Sequence, residues 1–555
     1  MRHYLFLFIL LLLVSGLSAQ ADFYQNYTFT RADTLRGSLR PERTCFDVHY
    51  YGLDIKVDEK KLGIAGQVTI AYEVVADFQT LQLDLFANMK IDHIMHGTTE
   101  LTYDREANAV FVHFPATQLA GSSSSIIVQY HGQPTVARNP PWDGGFVWSH
   151  DKRDRSWIAV ACEGTGASLW WPNKDHLSDE PDSMLISITV PNKLMAVANG
   201  QLRGTTVEDR WTRYDWFVSY PIDNYNVTLN IGNYVHFKDE YHAADGDILA
   251  LDYYVLDYNE DRARTHFQQV KPVLACYEHY LGKYPFWEDG YALVETPYLG
   301  MEHQGAIAYG NQFMRGYLGG MIPRDMDWDY IIVHETGHEY FGNSIGCADL
   351  SEMWIQESFT TYLEALFVEF TMSYPDALRY LSKQQYYIAN QEPVLGPPGV
   401  NWENWDSSDH YYKGAWMLHT LRNAIGDDAR WFAIFKGFYQ THALSLVTTE
   451  DFIQYVNTQT GQDWHPFFAQ YLGYTAVPTL EYRLTPRGKD LQVAYRWVAD
   501  VADFAMPVRL GKAGNTIRVT PTTTEWQETL IANATPQDFT IATELFLIKT
   551  DEVKE

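Results

Sequence analysis

The chain has 555 residues, too many for one ordinary core, so roughly two to four domains are expected. Apolar residues make up 46% and aromatics 15%, which excludes a disordered chain. At a net charge of −29 the surface repels nucleic acid and anionic lipid, so no nucleic-acid partner is expected.

In chain order, residues 1–21 read as a secretory signal. Arg2 precedes an unbroken apolar run over residues 5–14, and Ala19 and Ala21 offer small-residue cleavage points. The run is too short for a usual membrane span, and a retained anchor is the lesser alternative. No later segment approaches a span, so the processed chain is expected to be exported, secreted or periplasmic, with no membrane span. From about 45 to 235 the period is two. Leu53, Ile55 and Val57 alternate with polar partners, as do Val68, Ile70, Tyr72 and Val74, and then Val110, Val112 and Phe114. This predicts an antiparallel β domain over 22–237.

Near residue 258 the period changes. A helix over 258–285 carries Phe267, Val270, Leu274 and Tyr277 on one side and stops at Gly282 and Pro285. Strand-like segments at 249–257 and 291–297 flank it. Helices follow at 326–343, 352–370, 374–390, 410–425, 427–440 and 448–472, the last with Thr448 as its cap. A mainly helical domain over 238–474 results, and a return to strands from about 477 predicts a small β-sandwich over 475–555. The fold class is therefore multidomain α+β. Cys45, Cys162, Cys276 and Cys347 show no CxxC pairing, so they are either disulfide partners in an exported chain or buried small hydrophobes.

The chemistry concentrates in "VHETGHEYFGNSIGCADLSEMWIQESF". His334 and His338 stand four apart, so on a helix both imidazoles face one ion. Catalytic zinc uses three protein ligands plus water, and Glu357, on the next helix, can supply the third. Glu335 points to another angular sector. It is placed to act as general base on the attacking water.

These residues resemble the aminopeptidase N family of zinc metallopeptidases, which includes leukotriene hydrolase. The family pattern is HExxH, eighteen residues, then Glu, with GN after the second His and an aromatic three before the last ligand. Gly342, Asn343 and Trp354 match it. "YLGMEHQGAIAYGN" resembles the family's GxMEN motif. The resemblance implies that Glu302 binds the substrate's amine and that Gly300 and Met301 line the substrate, although Leu299 and His303 depart from the pattern. "ACEGTGASLWWPNKDH" resembles the second amine-binding segment, with Glu163 as its acid. "DHYYKGAWMLHTL" matches Y-x-K-G at Tyr411, Lys413 and Gly414, implying that Tyr411 stabilises the oxyanion, with Tyr412 as second choice. The resemblance also implies a thermolysin-like catalytic domain, one zinc per chain and peptide substrates with a free N-terminus. No counterpart of the larger members' C-terminal helical domain is expected. Homo-oligomerisation and an epoxide hydrolase side activity stay open.

The expected function is a zinc-dependent aminopeptidase that hydrolyses the N-terminal peptide bond by a zinc-activated water. A thermolysin-like zinc endopeptidase and a non-catalytic zinc-containing peptide-binding protein are the alternatives.

Overall fold

The alternation along the first half builds sheets whose buried faces meet. In the computed structural model, residues 23–24 and 27–554 are described, and the expected leader at 1–21 lies outside them. An eight-stranded sheet is centred on Phe46–Asp58 and Gly63–Val74, a hairpin pair in which Leu53, Ile55, Val57, Val68 and Ile70 are all buried. Its pairings are antiparallel except between Phe46–Asp58 and Ser183–Pro191, which run parallel. A three-stranded sheet (Phe78–Asp84, Ala109–Gln118 and Thr102–Glu106) and a four-stranded one containing Gly145–His150 and Ser156–Ala161 complete this part. Ahead of them a short helix, Arg31–Gly37 (α1), is held by a reciprocal cap between Thr30 and Asp33.

A five-stranded sheet opens the central region. Tyr234–His242 pairs with Ile248–Leu256, so residue 238 falls inside a strand of this sheet. Its far edge is the two-residue strand Gly300–Met301. The helices that matter for the site are Val270–Tyr280 (α2), Tyr330–His338 (α3), Trp354–Thr371 (α4) and Asp409–Ile425 (α5). α4 is the central one: α2, α3 and α5 all pack on it, and its first fifteen residues are buried.

Three predicted helices differ from the observed ones for local reasons. The predicted helix over 326–343 begins at Tyr330, because the Asp329 side chain accepts the N–H groups of Ile331 and Ile332. It ends at His338, before Gly342 takes a φ of +127°. The predicted helix over 448–472 stops at Thr460, where Gly461 adopts the left-handed cap conformation. The predicted helix over 258–285 is Glu260–His266, a single 3-10 turn, then α2.

From Thr479 a four-stranded and a three-stranded sheet form the C-terminal unit. Its core residues Leu480, Val493, Trp497 and Leu510 are continuous with the helical core. All four cysteines are buried and free, so the small-hydrophobe reading holds. Among the described residues no helix is long and apolar enough to cross a membrane.

Candidate active site

α3 lies beside the Gly300–Met301 edge strand, and its buried Ile331, Ile332 and Val333 fix its rotation. His334 and His338 therefore project from one face a turn apart, their Nε2 atoms 3.1 Å from each other. Glu357, in the first turn of α4, brings Oε2 to 3.6 Å from His334 Nε2 and 3.3 Å from His338 Nε2.

The outer faces of both rings are engaged. His334 Nδ1 lies 2.6 Å from Glu364 Oε1, and His338 Nδ1 lies 3.0 Å from the Phe341 carbonyl oxygen. Those acceptors hold the proton on Nδ1 and turn each Nε2 lone pair toward Glu357. Glu357 Oε2 is buried without a hydrogen-bond partner among the described residues. Burial alone would raise its carboxyl, but positive charge at the triad, carried in the metal-free protein by protonated imidazoles with His338 foremost, lowers it below the usual carboxylate range. Two imidazole nitrogens and an ionised carboxylate oxygen converge, and this donor set fits zinc.

Glu335 occupies another sector. One of its oxygens lies within 4.8 Å of ligand atoms on both Glu302 and His338. Burial, opposed by the two imidazoles and reinforced by Glu302 and Glu357, pushes its carboxyl up to about 8, close to the range in which a general base works best. The edge strand passes directly over it. A Cβ on Gly300 would sit 2.6 Å from Glu335 Oε1, so only glycine lets the strand approach this closely.

Glu302 and Glu163 close the other end. Glu302 is 3% exposed. Its Oε1 accepts the Tyr225 hydroxyl at 3.1 Å, and its carbonyl accepts Asn343 Nδ2 at 2.7 Å. Burial, then the Glu302, Glu357 and Glu335 carboxylates, raise Glu163 well above its ordinary value. Two neighbouring carboxyls offer a site for a positive group. His303, where the family motif has Asn, is fully buried with neither ring nitrogen hydrogen-bonded among the described residues.

Tyr411 sits in the first turn of α5, its ring stacked 6.2 Å from that of His334. Burial and then Glu357 raise its phenol well above the usual value, so it remains a proton donor. Tyr412, the second choice from the sequence, instead packs on Tyr387 at 5.0 Å. The rest of the Y-x-K-G pattern supports the helix. Lys413 Nζ donates to the Tyr474 and Thr475 carbonyls at 2.8 Å each, and Gly414 fits against Ser358.

These groups line one cleft of about 980 Å³, walled also by Trp142, Leu299, Met301, Trp402 and Trp405. Sequence reasoning missed Glu364, Tyr225 and the second role of Asn343. Glu364 had a signal, since it follows Glu357 by seven, two turns along the same helical face. Tyr225 had none, because only the folded sheet brings it to Glu302.

Comparison with known proteins agrees with this geometry. Residues 266–471 match the Peptidase family M1 domain. Leucyl aminopeptidase of Saccharolobus solfataricus is 22% identical over 295 residues, covering 52% of this chain and 35% of that protein. Aminopeptidase N of Escherichia coli is 22% identical over 290 residues, covering 50% and 32%. The chain thus spans about a third of the length of these curated relatives. An M1 zinc metallopeptidase from Deinococcus radiodurans, solved bound to a Tyr-Ser-Ala substrate, shares the fold with a TM-score of 0.64 at 19% identity, over 78% of this chain and 95% of that one. The domain match over residues 266–471, the aminopeptidase relatives and the shared fold together support a likeness to Peptidase family M1, the aminopeptidase N family of zinc metallopeptidases.

Proposed function

We propose that the protein is a zinc aminopeptidase that releases the first residue of peptides with a free α-ammonium. One observation carries the reading: the buried Glu302 and the half-buried Glu163 line the same cleft as neighbouring carboxyls beside the metal triad, and among the described residues no lysine or arginine lines it with them. An ammonium there relieves their repulsion and favours the ionised pair, whereas an internal amide supplies no charge to compensate it. That asymmetry disfavours an endopeptidase. A purely structural zinc site would need neither a base nor a phenol donor.

His334, His338 and Glu357 hold the metal, which when bound supplies a Lewis acid for the scissile carbonyl and activates water. Glu335 takes the proton of the attacking water and hands it to the leaving amine. Tyr411 donates a hydrogen bond to the carbonyl oxygen as negative charge develops there. Glu302 and Glu163 fix the ammonium, which sets how deep the chain enters, and the cleft-lining edge strand Gly300–Met301 aligns the substrate backbone. The leader pattern over residues 1–21 supports export to the periplasm or the medium.

The test is turnover of aminoacyl chromogenic amides and their N-acetylated forms by purified protein. Hydrolysis of the free-amine series alone is expected. Glu335→Gln should lower kcat about a thousandfold while the protein still binds one zinc. Cleavage of the acetylated series at comparable rates would replace this reading with an endopeptidase.

A further inference from the structure

A segment far from the chemistry grips the loop that carries Glu163. Arg36, the penultimate residue of α1, donates Nη2–H to the Gly164 carbonyl at 2.5 Å. Asn401 donates to the same oxygen at 2.9 Å. One carbonyl, next to the amine-binding acid, is thus held by side chains from two distant segments.

The fit around this contact leaves no slack. Gly166 lies at φ +90°, and a Cβ there would meet Arg36 Nη2 at 2.4 Å and Asp175 Oδ2 at 2.3 Å. A Cβ on Gly37 would meet the backbone of Val400 and Asn401 at 2.3 Å. Arg36 is itself fixed from behind, since Arg43 donates to its carbonyl and is paired with Asp84. Ser38 donates to the Gly399 carbonyl at 3.0 Å. Farther along, Trp402 is 3% exposed and is enclosed by Tyr24, Tyr27 and Phe29, ring centroids 4.9 to 6.1 Å away. Trp402 and Glu403 line the catalytic cleft, and Arg36 Nη1 stands 3.8 Å from Glu403 Oε2.

We propose that α1, with Tyr24 and residues 27–30 ahead of it, forms a strap, and that Arg36 is a positioning residue for substrate recognition. By holding the Gly164 carbonyl it fixes the Glu163 carboxylate at the ammonium, and so sets affinity for the α-amine. The inference rests on the amine-binding reading of Glu163. A charge-assisted donor on a half-buried carbonyl is the kind of contact whose removal lets a loop shift by a fraction of an ångström. Such a shift moves one carboxylate relative to the metal and leaves the metal triad in place, because among the described residues none from α1 or the segment before it lines the cleft that holds His334, His338 and Glu357.

The test uses the zinc-loaded full chain and two zinc-directed probes, alanine hydroxamate and its desamino counterpart propionohydroxamate, with binding measured directly by calorimetry. Arg36→Ala should weaken alanine hydroxamate about tenfold and leave propionohydroxamate within about twofold, the loss expected for one charge-assisted hydrogen bond. Arg36→Lys, which restores one donor, should recover at least half of that loss on a logarithmic scale. If Arg36→Ala does not fold, Asn401→Ser removes the other donor to the same carbonyl and should give the same selective loss. Equal weakening of both probes, or of neither, would overturn the proposal. A wild-type chain that binds the two probes equally would defeat the amine-binding reading itself, and with it the role of Arg36.

Discussion

At the scale of single residues, the metal triad depends on a group that does not touch the metal position. Glu364 Oε1 holds His334 Nδ1, while its Oε2 accepts the Tyr380 hydroxyl at 2.5 Å and Gln384 Nε2 at 3.0 Å. A carboxylate gripped on both oxygens cannot rotate, so it dictates the tautomer and tilt of the imidazole. Glu364→Ala should weaken zinc affinity about 10- to 100-fold, measured by competition with a chromogenic chelator, with the far-ultraviolet dichroism unchanged. Unaltered affinity would mean that ring packing alone orients His334. His419, in the middle of α5, makes a separate prediction. It is fully buried, and burial followed by the Arg422 charge lowers it to about 3. Folding therefore favours its neutral form, whereas the unfolded chain takes up a proton below about pH 6.5. The penalty is absent above pH 6.5 and grows as pH falls toward 3. His419→Phe should remove about one proton from the dependence of unfolding free energy on pH between 6.5 and 5, a difference of about 2 kcal/mol across that window by denaturant titration. Parallel curves for the two proteins would show that His419 is protonated in the fold.

At the scale of elements, the site depends on how closely α5 approaches α4. A Cβ on Gly414 would lie 1.7 Å from Ser358 Oγ and 2.6 Å from Ser358 Cβ, and that hydroxyl donates to the His410 carbonyl at 2.6 Å. Ser358 adjoins Glu357 and His410 adjoins Tyr411, so this contact fixes the phenol against the carboxylate. Gly414→Ala should cost about 1–3 kcal/mol in thermal unfolding and lower kcat with it, and adding Ser358→Gly should restore part of both. No recovery in the double variant would place the damage elsewhere. The helical spacing of His334, His338 and Glu357 was legible because ligand geometry repeats with the helix. So were α4 and α5, where apolar periodicity and burial coincide. Helix ends were less legible, since Asp329 and Gly461 act through one capping bond or one backbone angle that periodicity does not register. The strap was not legible at all. Arg36 and Gly164 are 128 positions apart, and nothing in either segment's pattern names the other.

At the scale of the whole molecule, three regions build one cleft: the β domain through Asp143 and Glu163, the edge strand through Gly300–Met301, and the helical region through α3, α5 and the loop before α5. Its charge is one-sided. Beyond the four glutamates assigned to metal, base and amine, Asp143, Glu403 and Asp406 also line it, and among the described residues no lysine or arginine does, although Arg36 reaches Glu403 from outside the cleft. The chain around it carries a net charge of −29. Carboxylates on low-dielectric walls focus a negative potential into the opening, which draws cationic peptides inward and repels anionic ones. The Debye length shrinks from about 30 Å at 0.01 M salt to about 3 Å at 1 M, shorter than the cleft's dimensions, so added salt cancels this attraction without touching contacts made at the metal. Across that range KM for a lysine-rich peptide should rise about tenfold, against less than about twofold for a neutral peptide of equal length, with kcat steady for both. Asp143→Asn combined with Glu403→Gln should flatten the salt response of the cationic peptide and leave the neutral one unaffected. Identical salt responses for the two peptides in the wild-type protein would show that the cleft's acids are neutralised locally and exert no reach into solvent.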